Sequence, residues 1–301
     1  MKSRRTLIYK IISITLVIIL SSYVIGIGFQ KKQAFYSKTT TETKIYTIWH
    51  IETFEGGGKS RLDYIKNTAR SIEKTYNGVL FMIKTLTPEM LSSSLAKTQP
   101  DIISFGYGIG EIILPYLTNF NNTYNVRDEL ISSGMFNNKL YAIPYIVSGY
   151  AMINHSANYS EFHCGQNNYI APENIYAELS LQPIKYESQY ESYKAFVNNK
   201  NVLLLGTARD VFRINNLNNI GRTNAMITPI DTYTDLIQYV GIIKWDNTIS
   251  TFINSLLSTD NQSSLIDYAL FSSLQSKLYY NGIYNDMENA LIHAEIPKLF
   301  Y

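Results

Sequence analysis

Cysteine occurs once in the 301 residues, at Cys164, so neither an intramolecular disulfide nor a thiolate metal cage is available. Cys164 also stands too far along the chain to be expected to carry a lipid anchor. Acidic residues are absent from the first 32 positions, which hold six basic ones. The rest of the chain carries 20 basic against 24 acidic residues, so the formal charge of +2 is a terminal feature. That distribution excludes the basic footprint of a nucleic-acid binder, and no nucleic-acid partner is expected. Internal repeats are missing too, and the sequons at Asn121, Asn158 and Asn261 read as chance in an asparagine-rich chain.

What is present begins with a membrane signal. Lys2, Arg4, Arg5 and Lys10 precede an uncharged apolar run from Ile11 to Phe29, followed by Lys31 and Lys32. Roughly 20 apolar residues span a bilayer core, so residues 1–30 are expected to be a signal-anchor, or a signal peptide if the Gly26/Gly28 region is cleaved. The basic cluster retains the amino terminus in the cytoplasm and places the remainder outside, at the cell membrane or secreted. Residues 31–43 are polar and threonine-rich and read as a linker.

From Ile45 to Ile51 the chain is apolar and β-branched, a buried strand emptying through Gly56, Gly57 and Gly58 into a helical pattern from Arg61 to Tyr76. Val79–Leu86 reads as a strand. Thr87-Pro88-Glu89 starts a helix with proline in its first turn, and Ile102–Phe105 is a short buried strand. Strands alternating with helices in this order predict a right-handed parallel α/β unit. Leu140–Ile153 is extended but interrupted by Pro144 and Gly149, which suits a strand passing between two bodies. Residues 155–183 carry no clear periodicity. A helix is expected over Tyr186–Val197, a strand over Val202–Leu205, and a helix capped by Thr207. Asp235–Lys244 suits a return crossing, and everything after Asp246 has a helical pattern. The predicted division is residues 44–147 plus 240–301 as one lobe and 148–239 as a second, reduced lobe.

Four stretches stand out in order: Trp49–Arg61, Gln99–Gly106 with its Pro-Asp-Ile strand, Asn138–Tyr145 with Lys-x-Tyr-Ala-x-Pro, and Leu204–Arg213. Together they resemble bacterial extracellular solute-binding proteins of the sugar-binding type, the capture component of ABC importers. The resemblance implies a two-lobed, periplasmic-binding-protein-like (type II) α/β fold that closes by a hinge on a small polar solute, a sugar or oligosaccharide. It also implies an ABC permease as the membrane partner and no enzymatic activity.

In such a cleft Trp49, Tyr107, Tyr145, Tyr150 and Tyr233 would stack on sugar rings. Ordinary packing competes for each, since the chain holds 25 tyrosines. His50, Glu52 and Glu55 lie beyond the first strand, where α/β folds place ligands, and would bond hydroxyls. A metal would need a fourth convergent ligand, so neither metal nor cofactor is expected. Arg209 and Asp210 open a helix after a strand and would reach the cleft or form a local ion-pair cluster with Arg213. Thr53–Ser60 fits the phosphate loop G-x-x-x-x-G-K-[ST] except at its first position, where Thr53 replaces glycine, and Glu52 and Glu55 would repel phosphate. The short second lobe and the missing anchor cysteine favour a rival reading, a membrane-anchored adaptor or sensor that has kept the fold and does not transport. An exported hydrolase is a lesser one, and it would need two carboxylates about 5 to 10 Å apart.

Overall fold

The computed structural model describes residues 21, 43–51, 59–156, 158–165, 185–276 and 280–301. The chain divides into two units, residues 1–44 and 45–301, and apart from positions 21, 43 and 44 every described residue belongs to the second. The apolar run at Ile11–Phe29 therefore lies outside the described residues except for Ser21, as do Glu52, Glu55 and most of the phosphate-loop look-alike. Among the described residues no helix is long and apolar enough to cross a membrane.

The strands are β1 (Lys44–Ile51), β2 (Val79–Leu86), β3 (Ile102–Gly106), β4 (Met135–Phe136), β5 (Lys139–Leu140), β6 (Ala142–Val147), β7 (Tyr150–Asn154), β8 (Glu161–Gly165), β9 (Lys185–Glu187), β10 (Val202–Thr207), β11 (Met226–Pro229) and β12 (Ile237–Ile242). The longer helices are α1 (Arg61–Thr75), α2 (Pro88–Leu95), α3 (Gln189–Asn198), α4 (Ala208–Asn219), α5 (Asn247–Leu256) and α6 (Ile283–His293). Two five-stranded sheets carry the fold, ordered β2-β1-β3-β12-β6 and β9-β8-β10-β7-β11, while β4 and β5 form a small hairpin.

Both sheets follow one plan. An opening strand, β1 or β8, sits between the next two strands of its own sheet, with β1–β3, β8–β9 and β8–β10 parallel. The fourth place is taken by an antiparallel strand, β12 in the first sheet and β7 in the second. Each intruder arrives from the other sheet: β7 follows β6 across Ser148 and Gly149, and β12 follows β11. The two passages lie side by side, the Ser148 amide donating to the Leu236 carbonyl at 2.8 Å and the Thr234 hydroxyl to the Ser148 carbonyl at 2.7 Å.

Local chemistry accounts for most elements. Ser60 caps α1 in a reciprocal box with Asp63, and Pro88 opens α2 where its missing N–H is harmless. Pro144 is accommodated because β6 is an edge strand, and the β12 register shifts opposite it, between Gln238 and Tyr239. β3, β6 and β12 are buried along their whole length, and α1 packs on α5 through a Tyr64 hydroxyl donating to the Leu256 carbonyl at 2.8 Å.

Four expectations need correction. Tyr186 belongs to β9, because Ser188 caps α3 by accepting from the Glu191 amide and so fixes the helix start at Gln189. Leu140–Ile153 is not one crossing strand: Leu140 ends β5, and the β6 and β7 that follow lie in different sheets. β12 opens at Ile237, so the return passage ends before residue 240. The stretch after Asp246 is only partly helical: Ala269 turns left-handed at φ 56°, and Phe271 and Leu274 then form bridges to Val147 and Val126.

The hairpin leans on Gly134, whose carbonyl accepts from the Tyr141 and Ala142 amides at 3.1 and 3.2 Å. A Cβ there would stand 1.9 Å from the Ala142 carbonyl oxygen, against backbone that has no freedom to retreat. Gly134→Ala is expected to cost about 1–3 kcal/mol or more, measured as a lowered denaturant midpoint; an unchanged midpoint contradicts this packing.

Candidate functional site

Within the first sheet lies a chain of enclosed polar groups. His50 and Ser104 are register partners on parallel β1 and β3, so their side chains share a face, with His50 Nδ1 3.0 Å from Ser104 Oγ. Ser104 Oγ also lies 2.9 Å from the Tyr145 hydroxyl and accepts from Gln238 Nε2 at 2.8 Å. Three contacts saturate a hydroxyl that has one proton and two lone pairs. Gln238 Oε1 in turn accepts from Arg61 Nη1, and Arg61, first residue of α1, is only 1 % exposed. Tyr145 stacks on Tyr64 at 6.1 Å, and its carbonyl accepts from Gln262 Nε2 at 2.8 Å.

A second cluster occupies the passages between the sheets. Asp235 is buried and accepts from the Tyr150 hydroxyl at 2.7 Å. Burial pushes its carboxyl up to about 7, against the opposing pull of the Tyr150 and Tyr233 hydroxyls and a backbone amide. Tyr150 is raised well above its ordinary value, first by burial and then by the Asp235 charge. Tyr107 is half-buried, bonds the Tyr301 hydroxyl, and is raised by burial, by Tyr301, and by Tyr233 and Asp235.

A third group joins the first-sheet side to α4. Arg209 Nη2 donates to the Lys59 carbonyl at 2.8 Å, Lys59 Nζ lies 3.6 Å from Asp267 Oδ2, and the same ammonium sits 5.2 Å over the Tyr268 ring. Together with Phe212 and Arg213 these residues surround a cavity of about 150 Å³. Asp210 points the other way. Its Oδ2 accepts from the Thr207 amide at 3.0 Å and its Oδ1 lies 3.7 Å from Arg213, closing the α4 cap. Burial raises its carboxyl in spite of those partners.

The expected site residues thus fall into different places. Tyr107, Tyr150 and Tyr233 gather about Asp235, Arg209 faces the cavity beside Lys59, and Glu52 and Glu55 lie outside the described residues. His50, Tyr145 and Asp210 are buried, and His50 Nδ1, the Tyr145 hydroxyl and the Asp210 carboxylate meet neighbouring protein groups. Trp49 lies on the opposite face of β1 from His50, 4 % exposed under the Lys84 ammonium at 5.3 Å. Asp235 and the Lys59–Asp267 pair were not among the expected contacts. An acid directly before an apolar strand, in Thr234-Asp235-Leu236-Ile237, is the sequence signal that marks the first; the second joins residues 208 positions apart and leaves none. Of the phosphate-loop look-alike, Ser60 serves as helix cap and Lys59 as ion-pair partner.

No protein-family model matches the sequence, and no curated protein matches it either. Solved structures do match. The GacH receptor of Streptomyces glaucescens, solved unliganded and with acarbose, is 9 % identical with a TM-score of 0.60, covering 84 % of this chain and 88 % of its own. An extracellular solute-binding protein from Staphylococcus aureus in complex with maltose is 12 % identical with a TM-score of 0.57, covering 85 % and 87 %. A two-component system protein mediating signal transduction is 13 % identical with a TM-score of 0.59, covering 85 % and 96 %. At such identities the likeness is one of fold, and the fold is that of extracellular solute-binding proteins.

The raised Asp235 carboxyl sets a direction for stability. Between its usual 3.8 and about 7 the folded protein keeps a proton that the unfolded chain has released. The contribution is therefore complete below about pH 4 and is lost as pH rises through about 7. Asp235→Asn is expected to flatten this fall in melting temperature relative to the parent chain. Parallel pH profiles for the two proteins would contradict the assignment.

Proposed function

We propose that this chain is an extracytoplasmic solute-binding protein that captures a small polar solute, a sugar or oligosaccharide, by closing one lobe on the other, and delivers it to an ABC permease. In this reading residues 44–147 with 237–301 form the first lobe and 148–236 the second. Residues 1–30 serve as membrane anchor or signal, and residues 31–43 as linker. The observation that carries the proposal is the paired passage between two sheets of identical strand order, since bending at Ser148–Gly149 and Thr234–Leu236 moves one sheet against the other without breaking either. No covalent chemistry is assigned.

Arg209 and Tyr107 keep partial exposure and are the proposed solute contacts, together with Glu52 and Glu55 in the segment that leads to Lys59. Trp49, His50, Tyr145, Tyr150, Asp210 and Tyr233 act from behind, holding strand ends and crossings in place. The neighbours' acarbose and maltose support the carbohydrate class.

A sensor or adaptor that reads the same fold without transport is the second reading. It is favoured by the 150 Å³ enclosed beside Arg209, about half the volume at which ligand sites begin, and by the similarity to a signalling protein. Thermal unfolding of residues 45–301 against mono- and oligosaccharides separates the two, because a ligand that binds only the folded state raises the melting temperature. Capture predicts a concentration-dependent rise for one sugar class. Arg209→Ala is then expected to weaken that sugar about tenfold or more while leaving the unliganded melting temperature nearly unchanged. A well-folded sample that responds to no sugar sinks the capture reading in favour of the sensor.

A further inference from the structure

A spacious cavity lies away from the sheet crossings. It measures about 700 Å³ and sits where α3 and α4 end, beside His155 just after β7. Because β7 runs antiparallel to β10, with Tyr150 opposite Thr207, His155 stands at the far end of the second sheet, about 15 Å along the strand from the crossing.

Part of its wall is apolar. Phe196 is buried and stacks on the His155 ring at 4.4 Å and 8°, with Leu217 completing the surface. The imidazole is held at both nitrogens: Nε2 lies 3.4 Å from the Phe196 carbonyl and Nδ1 3.1 Å from the Thr223 hydroxyl. A carbonyl only accepts, so Nε2 is the donor to Phe196, while the Thr223 hydroxyl can serve Nδ1 as donor or acceptor. The mouth is cationic. Lys200 and Arg222 are exposed there, and among the described residues no acid lines the cavity and no carboxylate pairs with either cation.

The carboxyl ends of two helices also point here, which gives both cations an ordinary role as dipole partners. Each helix end supplies only about half a negative charge, so roughly one unit of positive charge is left over. An apolar floor under a surplus cation is the recognition pattern for an amphipathic anion. We infer that this distal cavity is a second ligand site, taking a small organic anion whose carboxylate or phosphate sits between Lys200 and Arg222 and whose apolar body lies on Phe196 and Leu217. Its place at the opposite strand ends from the crossing leaves the sheet-to-sheet cleft free, so the inference does not depend on the sugar reading.

Phenyl phosphate is the probe, with phenol and inorganic phosphate as its two halves, titrated calorimetrically into the full chain. Saturable binding of phenyl phosphate, with each half at least about tenfold weaker, is expected. The Lys200→Gln/Arg222→Gln variant removes two exposed side chains, should lower the melting temperature only slightly through the lost dipole partners, and should lose about tenfold or more in phenyl phosphate affinity. Leu217→Trp should block the apolar floor and weaken the same probe. Absent binding, equal binding of phenol, or undiminished binding by the double variant overturns the proposal.

Discussion

Burial of the Arg61 guanidinium constrains much of the first sheet. A cation in the first turn of a helix opposes the helix dipole, and a buried one loses its water as well. It is tolerated because Gln238 accepts from it, and Gln238 is held by Ser104, which also meets His50 and Tyr145. The helix start is thereby tied to β1, β3, β6 and β12 at once. Removing one partner would strand others in a low-dielectric interior, where an unmade hydrogen bond costs about 1–3 kcal/mol. Gln262 plays a similar part: its amide donates to the Tyr145 and Leu256 carbonyls and accepts from Ser272 and Ser273, fixing the irregular segment after Ala269.

The first sheet was largely readable from residue order. Ile45–Ile51, Val79–Leu86 and Ile102–Phe105 are compact apolar runs, and Pro88 marks a helix start by local chemistry, although Thr87 before it makes no side-chain capping bond. The second sheet was not. β8 is Glu-Phe-His-Cys-Gly and β11 is Met-Ile-Thr-Pro, neither of which shows an apolar period, and β9 is three residues long. The shared strand order leaves no trace in the sequence for the same reason: the sheets repeat a topology, which hydrogen bonds between distant strands define, without repeating side chains.

Candidate site residues divided along a similar line. Position at a strand end was legible, but which way a side chain faces depends on register. His50 and Trp49 are adjacent and point to opposite faces, one into a polar core and the other beneath Lys84. The tyrosines near Asp235 come from β7, the loop after β3 and the return passage, which only the tertiary fold brings together. Asp210 is legible in the sequence as the first-turn acid of a helix, and its capping role uses up the carboxylate that a solute would need.

The exchange of one strand between sheets also orders assembly. Every strand of the second sheet comes from the continuous stretch between Tyr150 and Pro229, whereas β12, which stands between β3 and β6, follows that stretch. A chain emerging from its amino end can therefore complete the sheet encoded in its middle before the sheet encoded first. Until β12 arrives, β3 and β6 each present an unpaired edge in what becomes the most buried part of the molecule, and such edges invite pairing with other chains. The last strand to join closes a gap rather than extending a border, so the same connection that offers a hinge to the finished protein leaves its nascent form open.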